Sequence, residues 1–284
     1  MTVVIKRGDA MKFAEQKISL SAGPVTYHVA GEGDPVLCLH GGGGFRSTAA
    51  LEALAEEFQF FAPVTPGFDT TSVLDGVDSM QTLAKLWGEF ADKVIKQRCH
   101  LLGHSFGGRL AAWMAVLIPD QIDQLVLEAP SGILHGPPPP QPDGLEALHR
   151  ALIFRPENAP AETKSPKMLA QNRETLSHYY LEPVVPGAKR VMFGDNDTAL
   201  AGRLTEINLL TLILYGTKDG AVSADSMRFI EQSIPRAFLI DVEDAAHAIE
   251  IDQPKIVSDL VAGFLASGEA FAGNLAKSSG AKAG

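Results

Sequence analysis

Residues 99–108 read C-H-L-L-G-H-S-F-G-G, and the chain then continues R-L-A-A-W-M-A-V-L-I-P to residue 119. The first half is a short apolar run of the kind buried on both faces of a sheet; the second has leucine, alanine and tryptophan at helical spacing. Ser105 stands at the corner between them, flanked by Gly103 and Gly107. A G-x-S-x-G pattern alone carries little, because at ordinary glycine and serine usage it arises in about one chain of this length in ten. Between a buried strand and a helix it says more. The chain must turn so sharply that a Cβ at the neighbouring positions meets the crossing backbone, and the serine hydroxyl is held out at the sheet edge. The amide of Phe106 then belongs to the first helical turn, whose N–H groups point along the axis and suit a developing oxyanion. A glycine-rich turn serving only close helix–strand packing is the other reading of the same stretch.

Outward from this corner, K-I-S-L (17–20), V-T-Y-H-V-A (25–30), P-V-L-C-L-H-G (35–41), F-Q-F-F-A-P-V (58–64) and D-Q-L-V-L-E-A-P (123–130) read as further strands. Residues 48–58 and 80–97 carry helical patterns between them. After a hairpin-like beginning, this alternation predicts an α/β fold with a mostly parallel central sheet flanked by helices. The rhythm breaks at S-G-I-L-H-G-P-P-P-P-Q-P-D-G (131–144), where four consecutive prolines can continue neither a helix nor a central strand. An SH3-type ligand is one reading of that run, the edge of an insertion the other. Helical patterns without strong strands follow to about residue 205, and strand–helix alternation resumes from residue 209. The expected organisation is a core domain in two parts, 1–134 and 206–270, with an inserted helical lid at 135–205 and a tail at 271–284.

Composition limits the function classes. The 284 residues are 45% hydrophobic and 20% charged, the balance of a folded globular chain. A net charge of −10 repels phosphate backbones and anionic headgroups, so neither nucleic acid nor membrane is an expected partner. The first sixteen residues lack an apolar signal core, and I-N-L-L-T-L-I-L-Y (207–215) is too short to span a bilayer, which together predict a cytoplasmic protein. The two cysteines, Cys38 and Cys99, lie in apolar runs without metal-like or C-x-x-C spacing. A homo-oligomer is compatible with all of this.

A serine is inert near neutral pH without a base, and a base needs a group to orient it. Of eight histidines, His247 ends the strand pattern A-F-L-I-D-V-E-D-A-A-H and precedes a helix, among the small residues Ala245, Ala246 and Ala248. Asp219 ends the strand pattern L-L-T-L-I-L-Y-G-T-K-D in the same way; Glu128, of the strand pattern D-Q-L-V-L-E-A-P, is the competing carboxylate. Upstream, Gly41, Gly42, Gly43 and Gly44 let the backbone approach a substrate closely, and Gly42 is the expected second oxyanion donor. A phosphate-cradling loop would need the Lys-Ser/Thr or the G-x-G-x-x-G context that is absent here. His100 and His104 are four apart but lie on a strand entering a tight turn, so no metal site is expected; His104 is read as packing beside the corner and His40 as bonding around the glycines.

With these residues in place, the chain resembles the α/β-hydrolase superfamily, specifically its lid-bearing serine hydrolases. The motifs that carry the resemblance are H-G-G-G-G (40–44), G-H-S-F-G-G (103–108), Y-G-T-K-D-G (215–220) and H-A-I-E-I-D-Q-P (247–254). The resemblance implies acyl transfer on Ser105, with His247 as base, Asp219 as its orienting acid, the amides of Gly42 and Phe106 as oxyanion donors, and no cofactor. It implies an ester or lactone hydrolase of a small apolar or aromatic substrate. Relatives of this type that hydrolyse carbon–carbon bonds often carry tryptophan after the catalytic histidine, where Ala248 stands, and HGGG-type esterases normally read GDSAG at the elbow. A C–C bond hydrolase of vinylogous diketones and a cofactor-free perhydrolase remain alternatives, as does a ligand-binding receptor on the same scaffold. Candidate substrate contacts are Gly43, His104, Phe154, Tyr179 and Met192, together with Met168, Tyr180 and Phe193 of the expected lid.

Overall fold

The computed structural model of the chain describes residues 13–136, 143–159 and 196–271. Eight strands form one sheet in the order β1-β2-β4-β3-β5-β6-β7-β8. They are β1 (Ala14–Leu20), β2 (Gly23–Ala30), β3 (Pro35–Leu39), β4 (Gln59–Pro63), β5 (Cys99–His104), β6 (Ile122–Glu128), β7 (Leu210–Gly216) and β8 (Ala237–Val242). The β1–β2 hairpin is antiparallel, β2 lies antiparallel to β4, and every later pairing is parallel. The strand runs read from sequence thus assemble into the expected mostly parallel sheet. The stretch between β6 and β7 adds no strand to it among the described residues, and β7 pairs directly with β6 from Gln124↔Leu210 to Glu128↔Leu214.

The helices are α1 (Ala49–Leu54), α2 (Met80–Phe90), α3 (Phe106–Leu117), α4 (Gly144–Leu152), α5 (Thr198–Ala201), α6 (Ala224–Ser233), α7 (Ile249–Asp252) and α8 (Pro254–Ser267). Their starts follow local chemistry. The Thr48 side chain accepts from Leu51 N at the head of α1, and Ser79 with Thr82 forms a reciprocal capping box on α2. The helical pattern expected over 80–97 is α-helical only to Phe90; it widens into a π-helical turn over Ala91–Ile95 and stops at Lys96, whose φ is 64°.

Side chains that alternate along the central strands feed two cores. Leu37, Leu101, Leu125 and Ile213 pack with Trp87, Phe90, Leu110 and Ile230 on one face of the sheet. Val36, Leu102, Val126 and Leu212 pack with Leu51, Leu54, Val261 and Phe264 on the other. The order turns back on itself at β3, whose successors β4 and β5 lie on opposite sides of it. The carboxyl ends of β3 and β5 therefore bound the switch-point crevice where open α/β sheets take their ligands. Both the glycine loop and Ser105 leave the sheet at that crevice.

Candidate active site

Ser105 sits between β5 and α3 with φ 55° and ψ −114°, a backbone conformation that non-glycine residues rarely adopt. Three backbone hydrogen bonds hold it there. Its N–H donates to Glu128 O at 2.8 Å, and its carbonyl accepts from Arg109 N and Ser131 N, each at 3.1 Å. The flanking glycines are required by contact. A Cβ at Gly107 would lie 2.1 Å from Leu39 O, and one at Gly103 2.3 Å from Gly107 O. The elbow is therefore pressed against the end of β3, where the glycine loop begins.

That loop is fastened on both sides. His40 donates from Nδ1 to Gly41 O at 2.8 Å, and its Nε2 accepts from Thr65 N at 3.0 Å. Gly44 N closes the turn on Gly41 O at 3.1 Å. Asp69 accepts from Phe45 N at 3.1 Å and pairs with the Arg46 guanidinium at 3.1 Å, filling the space a Cβ on Gly44 would need. Gly42 is half-buried and Gly43 exposed, with nothing within 4 Å of a Cβ built on Gly43.

His247 lies five residues past the end of β8 at Val242, and Asp219 three past the end of β7 at Gly216, so the expected strand-ending positions are in fact on the loops that follow. The loops bring the two side chains together. His247 Nδ1 donates to Asp219 Oδ2 at 2.9 Å, which leaves Nε2 to accept from Ser105 Oγ at 2.7 Å. The second carboxylate oxygen of Asp219 is fixed independently, accepting from Ala221 N at 2.7 Å and Val222 N at 3.0 Å. Both side chains are withdrawn from solvent, at 6% exposure for His247 and 0% for Asp219. A hydroxyl, an imidazole and a carboxyl group stand in one hydrogen-bonded line at the crevice.

The other candidates separate from this line. His104 donates from Nε2 to the carbonyl of His247 at 2.9 Å, with the two rings 5.1 Å apart. Burial first, then the neighbouring His247, holds the His104 pKa down at about 4, so its ring is a neutral donor. His100, four residues earlier, instead lies edge-on to Phe58. Glu128 is 1% exposed, and its Oε2 has no hydrogen-bond partner among the described residues. Burial and then Glu250 raise the Glu128 carboxyl well above the ordinary range. Phe154 is 45% exposed, while Tyr179 and Met192, with Met168, Tyr180 and Phe193, lie outside the described residues. A cavity of about 210 Å³ opens between Thr48, Ala49, Asn158, Glu250, Ile251 and Pro254; neither Ser105 nor His247 is in its wall.

Two groups that position this site were given no role by sequence reasoning. Asp69 fastens the glycine loop, and nothing in its local pattern singles it out. Asp252 accepts from Ala246 N beside the histidine, and it lies inside the motif H-A-I-E-I-D-Q-P, which was its one sequence signal.

Comparison with known proteins agrees with this fold. The sequence profile of the Alpha/beta hydrolase family matches residues 36–260. Over 249 residues the chain is 26% identical to a pimeloyl-[acyl-carrier protein] methyl ester esterase of Aeromonas salmonicida (strain A449), covering 83% of this chain and 96% of that one. It is also 26% identical, over 78% of its length and 84% of the relative's, to a 2-hydroxy-6-oxo-6-phenylhexa-2,4-dienoate hydrolase of Comamonas testosteroni. Among solved structures, a meta-cleavage product hydrolase from Pseudomonas fluorescens IP01 superimposes with a TM-score of 0.71 at 21% identity, covering 88% of this chain and 97% of that one.

Proposed function

We propose, from the premise that this chain belongs to the alpha/beta hydrolase family and is a hydrolase, that it cleaves a carboxylic ester or lactone of a small, apolar or aromatic substrate through an acyl-enzyme. The observation that carries the reading is the line Ser105 Oγ, His247 Nε2, His247 Nδ1, Asp219 Oδ2, with links of 2.7 and 2.9 Å. In this reading Ser105 Oγ attacks the acyl carbon as His247 takes its proton, and Asp219 stabilises the imidazolium that forms. The amides of Gly42 and Phe106 receive the oxyanion, supported by the packing of the elbow against the end of β3. His247 then protonates the leaving alkoxide. A water, deprotonated by the same imidazole, adds to the acyl carbon, and as the bond to Ser105 Oγ breaks and the acid leaves, His247 returns that proton to the serine oxygen.

Residues 135–205 form the lid in this proposal, supported by the direct pairing of β6 with β7 on either side of that stretch and by helices α4 and α5 within it. Phe154, Tyr179 and Met192 are its proposed apolar contacts and Gly43 the contact from the opposite wall. His104, also considered a substrate contact, is better supported as a neighbour of His247.

A fluorophosphonate probe tests the nucleophile. The wild-type protein is expected to be labelled to one equivalent and folded Ser105→Ala not at all; full labelling of that variant overturns the assignment. The second reading, hydrolysis of a C–C bond in a vinylogous diketone, is favoured by the similarity to the Comamonas testosteroni hydrolase. Turnover of such diketones with no turnover of activated esters or lactones would move the assignment to it.

A further inference from the structure

The loops that carry Asp219 and His247 are tied together by a third segment, residues 151–155. Its Ala151 carbonyl accepts from Gly220 N at 3.1 Å, one residue past Asp219. Its Leu152 carbonyl accepts from Ala248 N at 2.8 Å, one residue past His247. A Cβ on Gly220 would stand 2.8 Å from that of Ala151, so the segment lies flush on the acid loop. Ile153 packs with Ala159 and Ile251 in a small hydrophobic cluster of its own, joined by Leu152 and Ala248.

One side chain fastens this segment to the base loop. Asp252, on α7, is 1% exposed and makes no ion pair among the described residues. Its Oδ1 accepts from Arg155 N at 2.6 Å, and its Oδ2 accepts from Phe154 N at 3.0 Å and Ala246 N at 2.8 Å. Three backbone N–H groups from two segments thus converge on one carboxylate, whose two oxygens accept and never donate. An amide in its place would aim an NH₂ at one of those donors. As a result, three consecutive residues of the base loop are held from three directions: Ala246 by Asp252, the His247 carbonyl by His104, and Ala248 by Leu152.

We infer that residues 151–155 are a strap across the acid and base loops, and that Asp252 is the positioning residue that fastens it and so keeps His247 in line with Asp219 and Ser105. The inference rests on the reading of those three side chains as the reacting groups. It also ties the proposed lid to the machinery, because the segment that braces the acid–base pair is part of the 135–205 insertion.

The test compares wild type, Asp252→Asn and Ile153→Ala, the last loosening the strap from its apolar side. Two readouts are taken: the downfield proton resonance of the His247 Nδ1–H, and the rate of fluorophosphonate labelling. In Asp252→Asn the resonance is expected to shift or broaden and labelling to slow by about tenfold or more, with kcat reduced and KM little changed. Ile153→Ala is expected to show the same signature more weakly. A folded Asp252→Asn with the wild-type resonance and labelling rate overturns the inference. Failure of both variants to fold overturns it as well, in favour of a purely structural role. Absence of labelling in the wild type sinks the nucleophile reading instead, while the resonance still reports whether the strap sets the His247–Asp219 geometry.

Discussion

At the scale of single residues, two buried titratable groups beside the site behave in opposite ways. His104 has a folded pKa of about 4, below the ordinary histidine value, because burial and His247 disfavour its charged form. The unfolded chain therefore binds more protons between about pH 6.5 and 4, and stability present above that window is lost as the pH falls through it. His104→Gln should flatten the acid limb of a stability–pH curve by up to about 1.4 kcal/mol per pH unit, measured by urea titration. Glu128 shifts the other way. Its carboxyl is raised by burial and by Glu250, itself pushed up to about 7, so folding favours the protonated form. Stability from that proton is present below the ordinary carboxylate range and is lost as pH rises through the folded value. Glu128→Gln, neutral throughout, should melt higher than wild type by a margin that grows from pH 5 to pH 8, with hydrolytic activity retained. Loss of activity in that variant would make Glu128 the orienting acid and displace Asp219.

At the scale of elements, the turn between β5 and α3 is where local sequence and tertiary contact meet. Its glycines read from sequence as a requirement of the turn, and the neighbour that enforces the requirement at position 107 is a carbonyl of β3, 2.1 Å from where a Cβ would stand. Gly107→Ala should therefore cost about 3 kcal/mol or fail to fold, as overpacked backbone contacts do. Gly43 has open space at the same distance, and Gly43→Ala should stay within about 0.5 kcal/mol of wild type in a chemical melt. The strands were legible for a simple reason: β3 and β7 are buried along their whole length and so read as unbroken apolar runs. The ends of strands were less legible. Ala-Phe-Leu-Ile-Asp-Val is followed by Glu243 and Asp244, and the chain turns at Asp244 with φ 53°, which no apolar pattern announces.

At the scale of the molecule, the sheet joins two stretches of chain that are far apart in sequence. β6 pairs along its length with β7, and Trp113 Nε1 donates to Asp197 Oδ2 at 2.7 Å across the same gap. Trp87 and Trp113 are both buried in the first stretch, whereas Asp219 and His247 belong to the second. One sheet with cores on both faces should lose its structure as a unit. Tryptophan fluorescence and far-ultraviolet circular dichroism are expected to report one coincident urea transition. Separate transitions would mean that the part from β7 onward folds independently, and that the site is an interface between two stable bodies.

The sequence by itself determined the strand–helix corner at Ser105 and the bare loop over 41–44, because each depends on residues adjacent in the chain. Only the tertiary structure decided which carboxylate meets His247. Glu128 ends one apolar strand and Asp219 follows another, but side chains alternate across a strand. Glu128 follows Val126 by two positions onto the α1–α8 face, while the turn after β7 carries Asp219 round to the imidazole. The same holds for Asp252 and for the strap it fastens: hydrogen bonds between residues 98 and 97 apart in sequence leave no mark on either segment's local pattern.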